Sequence, residues 1–327
     1  MPNAPTFLIT IDTEGDDLWS RPRQATTHNA EFLQRFQQLA EQYGLKPTWL
    51  VDHDMAHCET FISMGRDVLK RGTGEIGLHP HAWNTPPLAP LSTEDHLRQP
   101  FMTSFSEDLI REKVDRLVSR LESVFDTPIT SHRGGRWALD ERYARVLVNR
   151  GIQVDCTVTP GLAWLAPDGS GCDYRNAPRE PYLAHPLDPA RPGDSALLEL
   201  PMTIRPTGPS RTRTLLQALG PMGRRAARRL TPEADWLRPD GFNRDRMRKL
   251  VTQAVEGHWP YVQFMLHSSE LMPGGSRRFR TAGSIQRLYK HLDSLFSLAA
   301  RTCQAATLSE FASHCLQSPS PALTLTS

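Results

Sequence analysis

The strongest constraint on the fold is a regular alternation of short apolar segments with longer amphipathic ones. The first apolar segment, Thr6 to Ile11, is rich in β-branched residues and has apolar residues at both odd and even positions. This pattern is typical of strands that are buried on both faces of a parallel sheet. The segment from Ala30 to Tyr43 then carries apolar residues at helical spacing and stops before Gly44. This order predicts parallel strands joined by right-handed helical crossovers.

The same pattern repeats along most of the chain. The further predicted strands are residues 47–51, 75–78, 128–131, 152–154, 261–266 and 306–308. The further predicted helices are residues 61–69, 107–125, 141–149, 244–255 and 282–300. So many strand and helix units in one order predict an α/β fold whose sheet closes, or nearly closes, into a barrel.

One stretch interrupts the pattern. Proline, glycine and arginine are dense between Cys156 and Pro239, apart from a strand-like segment at 196–204. Because the alternation resumes afterwards, we interpret residues 157–240 as a long insertion before the last strands of a single barrel domain, residues 1–315. The Ser, Pro and Thr-rich residues 316–327 are expected to form a flexible tail.

Composition narrows the classes of partner. The 38 basic and 36 acidic side chains leave a formal charge of +2, so the chain as a whole has no strong field with which to hold nucleic acid. The five cysteines form no C-x-x-C pair and are expected to be free thiols. Neither a signal peptide nor an apolar run long enough to span a membrane is visible, so the expected location is the cytoplasm.

Polar residues follow the ends of five predicted strands. They are Asp12 and Glu14, His79 and His81, Arg133, Asp155, and His267. Each of them alone is more often a turn cap, a loop charge or a hydrogen-bonded loop histidine. In parallel barrels, however, the C-terminal strand ends meet at one mouth, where active-site residues gather. The five positions together therefore predict an active site.

These residue types suit a catalytic metal site. Imidazole nitrogens of His79 and His81 and a carboxylate oxygen of Glu14 are ligands that Zn²⁺ or a similar divalent ion prefers, with one position left for water. Asp16 or Asp17 is an alternative carboxylate ligand. Such an ion lowers the pKa of its water from near 16 to roughly 7. A divalent metal, with Zn²⁺ expected, is the predicted cofactor.

Two further residues suit proton transfer at the same mouth. Asp12 lies two positions before Glu14 and is the expected general base. His267 follows another strand and is the expected general acid for a leaving amine, because imidazole is the side-chain group that most often exchanges protons near neutral pH. The set predicts metal-assisted hydrolysis of an amide or an ester.

The same segments resemble the motif series of the NodB-homology polysaccharide deacetylases, carbohydrate esterase family 4. The similar segments are TIDTE (10–14), EIGLHPH (75–81), HRGGRWAL (132–139), VDCTVTP (154–160) and FMLHSSEL (264–271). Their order and approximate spacing are similar from Thr6 to Phe311. Within the family, HSSELMPGG together with WLRP (236–239) is most similar to the WalW-like branch.

The resemblance implies a distorted (β/α)7-type barrel and removal of an acetyl group from an N-acetylated sugar. It also implies that Arg133 orients Asp12, and that Asp155 tunes His267 or lines the pocket. Two departures stand out. The family's histidines are four positions apart, which would place the second at Trp83, so His81 takes that role only with a different loop geometry. The metal carboxylate here is a glutamate where better-known members have an aspartate.

Several other residues are candidates for binding the substrate. Trp83, Trp137 and Arg136 lie close in sequence to proposed catalytic groups, and aromatic faces can stack on sugar rings. The insertion adds an arginine-rich stretch, which is more often a solvated basic helix but could clamp a phosphate of a nucleotide-linked or lipid-linked sugar. Its arginines are Arg205, Arg211, Arg213, Arg224, Arg225, Arg228, Arg229 and Arg238.

Two alternative functions are compatible with the same sequence. One is an amidohydrolase that acts on a small non-sugar amide, as in the allantoinase-like branch of the superfamily. The other is a catalytically silent barrel that binds a glycan or a lipid headgroup. The presence of both Asp12 and His267 favours an enzyme.

Overall fold

The computed structural model describes residues 4–16, 18–21, 25–230 and 232–317, without the side chains at positions 19, 225 and 228–230. Its strands are β1 (Thr6–Thr13), β2 (Pro47–Val51), β3 (Glu75–Leu78), β4 (Ser131–His132), β5 (Val154–Asp155), β6 (Ala163–Leu165), β7 (Gly171–Asp173), β8 (Tyr182–His185), β9 (Asp188–Pro192), β10 (Leu198–Glu199), β11 (Ile204–Pro206), β12 (Ala234–Trp236), β13 (Tyr261–His267) and β14 (Gln304–Ala305). Its α-helices are α1 (Leu33–Gln42), α2 (Glu59–Arg71), α3 (Asp95–Arg98), α4 (Glu107–Phe125), α5 (Glu141–Asn149), α6 (Arg211–Ala218), α7 (Gly220–Leu230), α8 (Arg244–Glu256), α9 (Ala282–Thr302) and α10 (Leu308–Gln317).

The main sheet confirms the predicted α/β class. Within the described residues it has ten strands, nine of them in the order β13-β1-β2-β3-β4-β5-β10-β8-β9, with β14 also paired to β1. Strands β13 and β1 to β5 are parallel to their neighbours, as crossover helices require. The sheet curls into a half-barrel. The C-terminal ends of its parallel strands therefore lie along one edge.

The insertion is partly woven into this sheet. Strand β10 pairs parallel with β5, and β8 then pairs antiparallel with β10. The single strand predicted at 196–204 is wrong, because the chain forms β10, leaves the sheet and forms β11 against β12. Pro201, which has no N–H to donate to a ladder, lies between the two strands.

The C-terminal region also differs from the prediction. The strand predicted at 306–308 is wrong, because pairing with β1 ends at Ala305 and Leu308 begins α10. Thr307 Oγ1 accepts a hydrogen bond from Glu310 N, and Glu310 Oε2 accepts one from Thr307 N, which caps that helix. The helix extends through Gln317 into the predicted tail, and residues 318–327 lie outside the described part of the chain.

The two faces of β1 explain why Asp12 points into the barrel. Phe7, Ile9 and Ile11 face the helical layer, where the Phe7 and Phe296 rings are 6.1 Å apart in a T-shaped contact. Successive side chains of a strand alternate between faces, so Thr10 and Asp12 lie on the opposite, interior face. The last residues of the strand therefore present polar groups at the open end of the half-barrel.

Two global expectations can be compared with the described residues. Their cysteines are all free thiols, as predicted. None of the helices built from these residues combines the length and the apolar character that a membrane span requires.

Candidate active site

Three of the predicted metal ligands meet at the strand ends. Single ligand atoms of Glu14, His79 and His81 all lie within 4.8 Å of one another, and all three side chains are buried. Glu14 Oε2 is 2.9 Å from His81 Nε2 and 3.7 Å from His79 Nε2. Ligands about 2.0–2.2 Å from one tetrahedral ion are separated by roughly 3 to 3.6 Å. The three residues therefore fit a divalent cation.

A backbone contact orients His79 for this role. Its Nδ1 lies 2.8 Å from the carbonyl oxygen of Arg133, so Nδ1 carries the proton and donates it there. The bare Nε2 then faces the two carboxylates, 3.7 Å from Glu14 Oε2 and 3.9 Å from Asp12 Oδ2. A carbonyl behind the ring is a common way of fixing the tautomer of a metal-binding histidine.

The H-P-H spacing brings both histidines to the cluster. The rings of His79 and His81 are 4.7 Å apart and nearly perpendicular. Trp83, at the family's usual second position, packs on the His81 ring at 4.4 Å instead. Gly135 makes room for this loop, since a Cβ at that position would come within 2.4 Å of His81 Nδ1.

Glu14 is held from behind by two polar side chains that the sequence did not single out. Its backbone N–H donates to Ser268 Oγ at 3.0 Å, and its carbonyl accepts from Asn29 Nδ2 at 2.7 Å. Asp16, the alternative carboxylate, instead accepts from the backbone N–H groups of His28 and Asn29. Asp17 lies outside the described residues.

Arg133 and Asp12 form a buried ion pair. Arg133 Nη1 donates to Asp12 Oδ1 at 2.5 Å, and Nη2 donates to Thr10 Oγ1 at 2.8 Å. This leaves Asp12 Oδ2 facing the cluster, 3.6 Å from His267 Nε2. Strands β1 and β13 place Asp12 and His267 directly opposite each other in register.

The electrostatics favour ionised carboxylates in the cluster. Burial alone would raise the pKa of Asp12, but Arg133, His79 and His267 outweigh it and lower that pKa below its usual value. Burial would also raise the pKa of Glu14, but the surrounding histidines outweigh burial and lower that pKa. Burial lowers the pKa of His81, whereas the carboxylates of Asp12 and Glu14 outweigh burial and raise the pKa of His79. Ionised carboxylates and a neutral imidazole are the forms that bind a cation.

The outer side of His267 is occupied by an ion pair that the sequence did not reveal. Arg238 Nη2 lies 2.9 Å from His267 Nδ1, and Glu270 Oε2 lies 3.4 Å from the same nitrogen. Burial would raise the pKa of Glu270, but Arg238 and His267 outweigh burial and lower that pKa. An arginine donates only, so Nδ1 accepts from Arg238, and the ring proton lies on Nε2 toward Asp12.

Asp155 belongs to a neighbouring buried network. The residues that contact His267 Nδ1 are Arg238 and Glu270. Asp155 Oδ1 lies 2.5 Å from His132 Nδ1, and Oδ2 accepts from Thr157 N at 2.8 Å. The other ring nitrogen of His132 lies 2.7 Å from the Tyr143 hydroxyl. Asp155 thus contacts His132, the residue that precedes Arg133, and a role of Asp155 in tuning His267 or lining the pocket stays a prediction.

A cleft of about 540 Å³ is lined by Arg238 and Glu270, the two residues that contact His267 Nδ1. Arg136 and Trp137 both line it, and both have left-handed backbone angles, with φ of 57° and 60°. Such angles are unusual for residues with side chains and concentrate at functional sites. The Trp137 and Trp164 rings stack 6.2 Å apart along one wall. Trp83 is not among the lining residues.

Most of the insertion's arginines lie elsewhere. Arg205 stacks on Trp259 at 3.9 Å, and Arg213 donates to Pro232 O and Thr207 Oγ1 at 2.6 Å. Arg211 and Arg224 are exposed on α6 and α7. The side chains of Arg225, Arg228 and Arg229 lie outside the described part of the chain. Of the named arginines whose side chains are described, Arg238 is the one that lines the cleft.

Comparisons with known proteins bear on the fold. No protein-family model matches the sequence, and no curated protein matches it. A candidate polysaccharide deacetylase from Mycobacterium smegmatis is 15% identical over 98% of this chain and 94% of its own, with a TM-score of 0.52. A candidate glycoside hydrolase/deacetylase from Parabacteroides distasonis is 12% identical over 98% of this chain and 74% of its own, with a TM-score of 0.64.

A third structure shares the fold under another activity. The 4-α-glucanotransferase from Thermococcus litoralis is 12% identical over 95% of this chain and 40% of its own, with a TM-score of 0.53. The structural neighbours thus include two candidate deacetylases, and the predicted (β/α)7-like fold is confirmed. At these identities the likeness shows the fold alone, so a reaction has to be argued from the site.

Proposed function

We propose that the chain is a divalent-metal-dependent hydrolase of the WalW-like kind, which removes an N-acetyl or similar acyl group from a sugar or glycoconjugate. The observation that carries the proposal is the meeting of two separate groups in one buried volume. A metal-binding set, Glu14 with His79 and His81, lies within 4 Å of Asp12 and His267, which can transfer protons.

The proposed metal ligands are Glu14, His79 and His81. A divalent ion such as Zn²⁺, held by them, would polarise the acyl carbonyl and increase the acidity of water. Glu14 Oε1 supports the assignment, because it is buried without a hydrogen-bond partner among the described residues. A buried carboxylate oxygen with no donor is unfavourable unless a cation or water satisfies it.

Asp12 is the proposed general base, and Oδ2 is its reactive atom. Arg133 occupies Oδ1, so Oδ2 alone faces the cluster and is free to accept a proton from water. Arg133 also helps to keep the carboxylate ionised, because Arg133 and the histidines together outweigh burial and lower the pKa of Asp12. Arg133 thus acts as a positioning residue.

His267 is the proposed general acid. The Arg238 contact at Nδ1 places the ring proton on Nε2, which lies 3.6 Å from Asp12 Oδ2 and 3.8 Å from Glu14 Oε1. To act as an acid the ring must first take up a second proton, on Nδ1, which would then donate to Glu270 Oε2, 3.4 Å away, in place of accepting from Arg238. This imidazolium would give its Nε2 proton to a leaving amine between these groups and return to the neutral form. The base and the acid then approach the reacting amide from β1 and β13, two neighbouring strands.

The walls of the adjoining cleft favour a sugar over a small non-sugar amide. Phe101, Trp137 and Trp164 line it, and aromatic faces of this kind pack on the C–H faces of sugar rings. A cleft of about 540 Å³ also exceeds what a compact amide needs.

The test is metal analysis of the purified protein, followed by acetate release from N-acetylglucosamine and its short oligomers. We expect bound divalent metal, metal-dependent release, and a fall of about 10²- to 10⁴-fold in kcat for Asp12→Asn. Asp108→Asn, at an exposed position on α4, is the matched control.

Each alternative has its own outcome in the same test. Sugar binding with no acetate release under any metal would favour the silent binding protein. Faster hydrolysis of small non-sugar amides would favour the amidohydrolase. Wild-type rates for Asp12→Asn would remove the proposed base.

A further inference from the structure

The cleft beside His267 is unusually rich in arginine. Its lining carries four arginines, Arg136, Arg238, Arg277 and Arg278, against the single carboxylate of Glu270. The whole chain, by contrast, is close to neutral, with a formal charge of +2. The positive charge is therefore concentrated at this cleft, where low-dielectric walls strengthen its effect on an anion.

The carboxylates near the cleft are already engaged. Glu270 faces both Arg238 and His267. Asp240, which is close to Arg278 in the fold, pairs with Arg246 Nη2 at 3.0 Å. They leave two guanidinium groups of the cleft without a carboxylate at ion-pair distance among the described residues, although the charges of Glu270 and Asp240 attract one of them, Arg278.

Arg277 and Arg278 are those two groups. Both are exposed at the cleft, and among the described residues neither has a carboxylate oxygen within ion-pair distance. The resolved hydrogen bond of Arg278 runs from Nη1 to the carbonyl of Pro239 at 3.3 Å, which leaves most of its donors available. Adjacent arginines on one loop form a fork that suits phosphate or carboxylate oxygens.

Arg136 adds to the positive charge of the same cleft. It lies over the Phe101 ring at 3.9 Å and donates to the carbonyl of Gln99. Partial burial and the charge of Arg21 lower the pKa of Arg136. The aromatic wall thus lies between cationic groups.

We propose that the substrate carries an anionic group, a phosphate or a carboxylate, which Arg277 and Arg278 bind while the N-acylated sugar lies against Trp137 and Trp164. This inference rests on the proposed function, because it assigns the sugar and its acyl group to the same cleft and to His267.

The test measures binding without turnover. Asp12→Asn would be titrated by calorimetry, at one fixed ionic strength, with N-acetylglucosamine, with its 6-phosphate and with N-acetylmuramic acid, which carries a carboxylate. We expect at least one anionic sugar to bind at least about tenfold more tightly than the neutral one. The arm with the larger gain identifies phosphate or carboxylate as the preferred group.

Matched variants locate the effect. Arg277→Gln/Arg278→Gln, added to Asp12→Asn, should remove the preference for the anionic sugar and leave the affinity for the neutral one unchanged. Arg211→Gln/Arg224→Gln removes two exposed arginines from α6 and α7 and should change neither. Circular dichroism checks that each variant folds.

The outcomes separate this inference from the proposed function. Equal affinity for neutral and anionic sugars, or a preference that survives Arg277→Gln/Arg278→Gln, would overturn the inference even if acetate release is observed. A preference that depends on the two arginines, without acetate release from any sugar by the wild-type protein, would keep the anion site and reject the hydrolase.

Discussion

Two buried histidine–carboxylate pairs lie at strand ends of this sheet, and their surroundings differ. In one pair His81 Nε2 is 2.9 Å from Glu14 Oε2, and in the other His132 Nδ1 is 2.5 Å from Asp155 Oδ1. The second pair is closed, because the free nitrogen of His132 reaches the Tyr143 hydroxyl and Asp155 accepts two bonds from Thr157.

The first pair is open. Glu14 Oε1 and His81 Nδ1 have no hydrogen-bond partner among the described residues, and two more titratable groups converge on the same space. Similar residue types at similar positions can thus serve different ends. A polar network whose members are all satisfied makes the fold more specific, whereas unsatisfied groups around one volume indicate a ligand. Substitutions in the two pairs should therefore have different effects, on metal binding and activity in the open pair and on stability in the closed pair.

The largest expected effect comes from the open pair. His81→Ala removes one proposed ligand, so we expect metal content to fall and acetate release to drop by about 10³-fold, since the ion contributes several kcal/mol. Metal analysis and a rate measurement on the same sample check both results. His314→Ala, at an exposed histidine on α10, is the control. A fully active, metal-loaded His81→Ala protein would contradict the ligand assignment.

The closed pair should respond in stability. His132→Ala leaves Asp155 buried without its partner, and we expect a loss of about 3–5 kcal/mol in the free energy of unfolding. Urea unfolding measures this change, and metal content of the folded variant should equal that of the wild type. Loss of metal with unchanged stability would show that the two pairs have exchanged their assigned roles.

Much of the candidate site could be predicted because its residues occupy one kind of position. Asp12, His79 and His267 each end or follow a buried strand, and the topology of parallel strands brings such ends together. Local signals were equally informative for helices. Predicted helices at 107–125 and 141–149 have the bounds observed, and capping side chains of Ser106 and Asp140 mark where they begin.

The parts of the site that the sequence did not predict depend on contacts between residues that are far apart in the chain. Arg238 and Glu270 are 32 positions apart, and His132 and Asp155 are 23 apart, so no local pattern pairs them. The start of α10 was different, because the capping-box sequence from Thr307 to Glu310 is visible in the chain. The short apolar run there indicated a strand more strongly than the cap indicated a helix.

A smaller effect is expected from the glycine that makes room for the open pair. A Cβ at Gly135 would come within 2.4 Å of His81 Nδ1 and 2.7 Å of the carbonyl oxygen of Pro80. We expect Gly135→Ala to displace the His81 ring and weaken metal binding by about 10- to 100-fold, as changes behind metal ligands commonly do. Titration with a competing chelator measures the affinity. Gly283→Ala, which meets only Thr281 Oγ1 at 3.9 Å, is the control, and equal affinities for both variants would contradict the expected displacement.

The smallest expected effect is a pH dependence of the free energy of unfolding, caused by Glu199, whose pKa is influenced by Asp155 of the closed pair. Burial and the negative charge of Asp155 raise the pKa of Glu199 well above its usual value, so the folded protein keeps that proton while the unfolded chain releases it above about pH 4.3. The folded state then binds more protons, and wild-type stability from this group falls as pH rises from that point to the folded pKa.

Glu199→Gln removes this dependence while keeping an oxygen for the hydrogen bond from Val158 N, 3.0 Å away. We therefore expect the variant to gain in stability relative to the wild type as the pH increases from 5 to 8. Urea unfolding of both proteins at several pH values measures the difference. Glu94→Gln, at an exposed glutamate, should show no such trend. A difference that stays constant or shrinks with pH would mean that Glu199 is ionised beside Asp155.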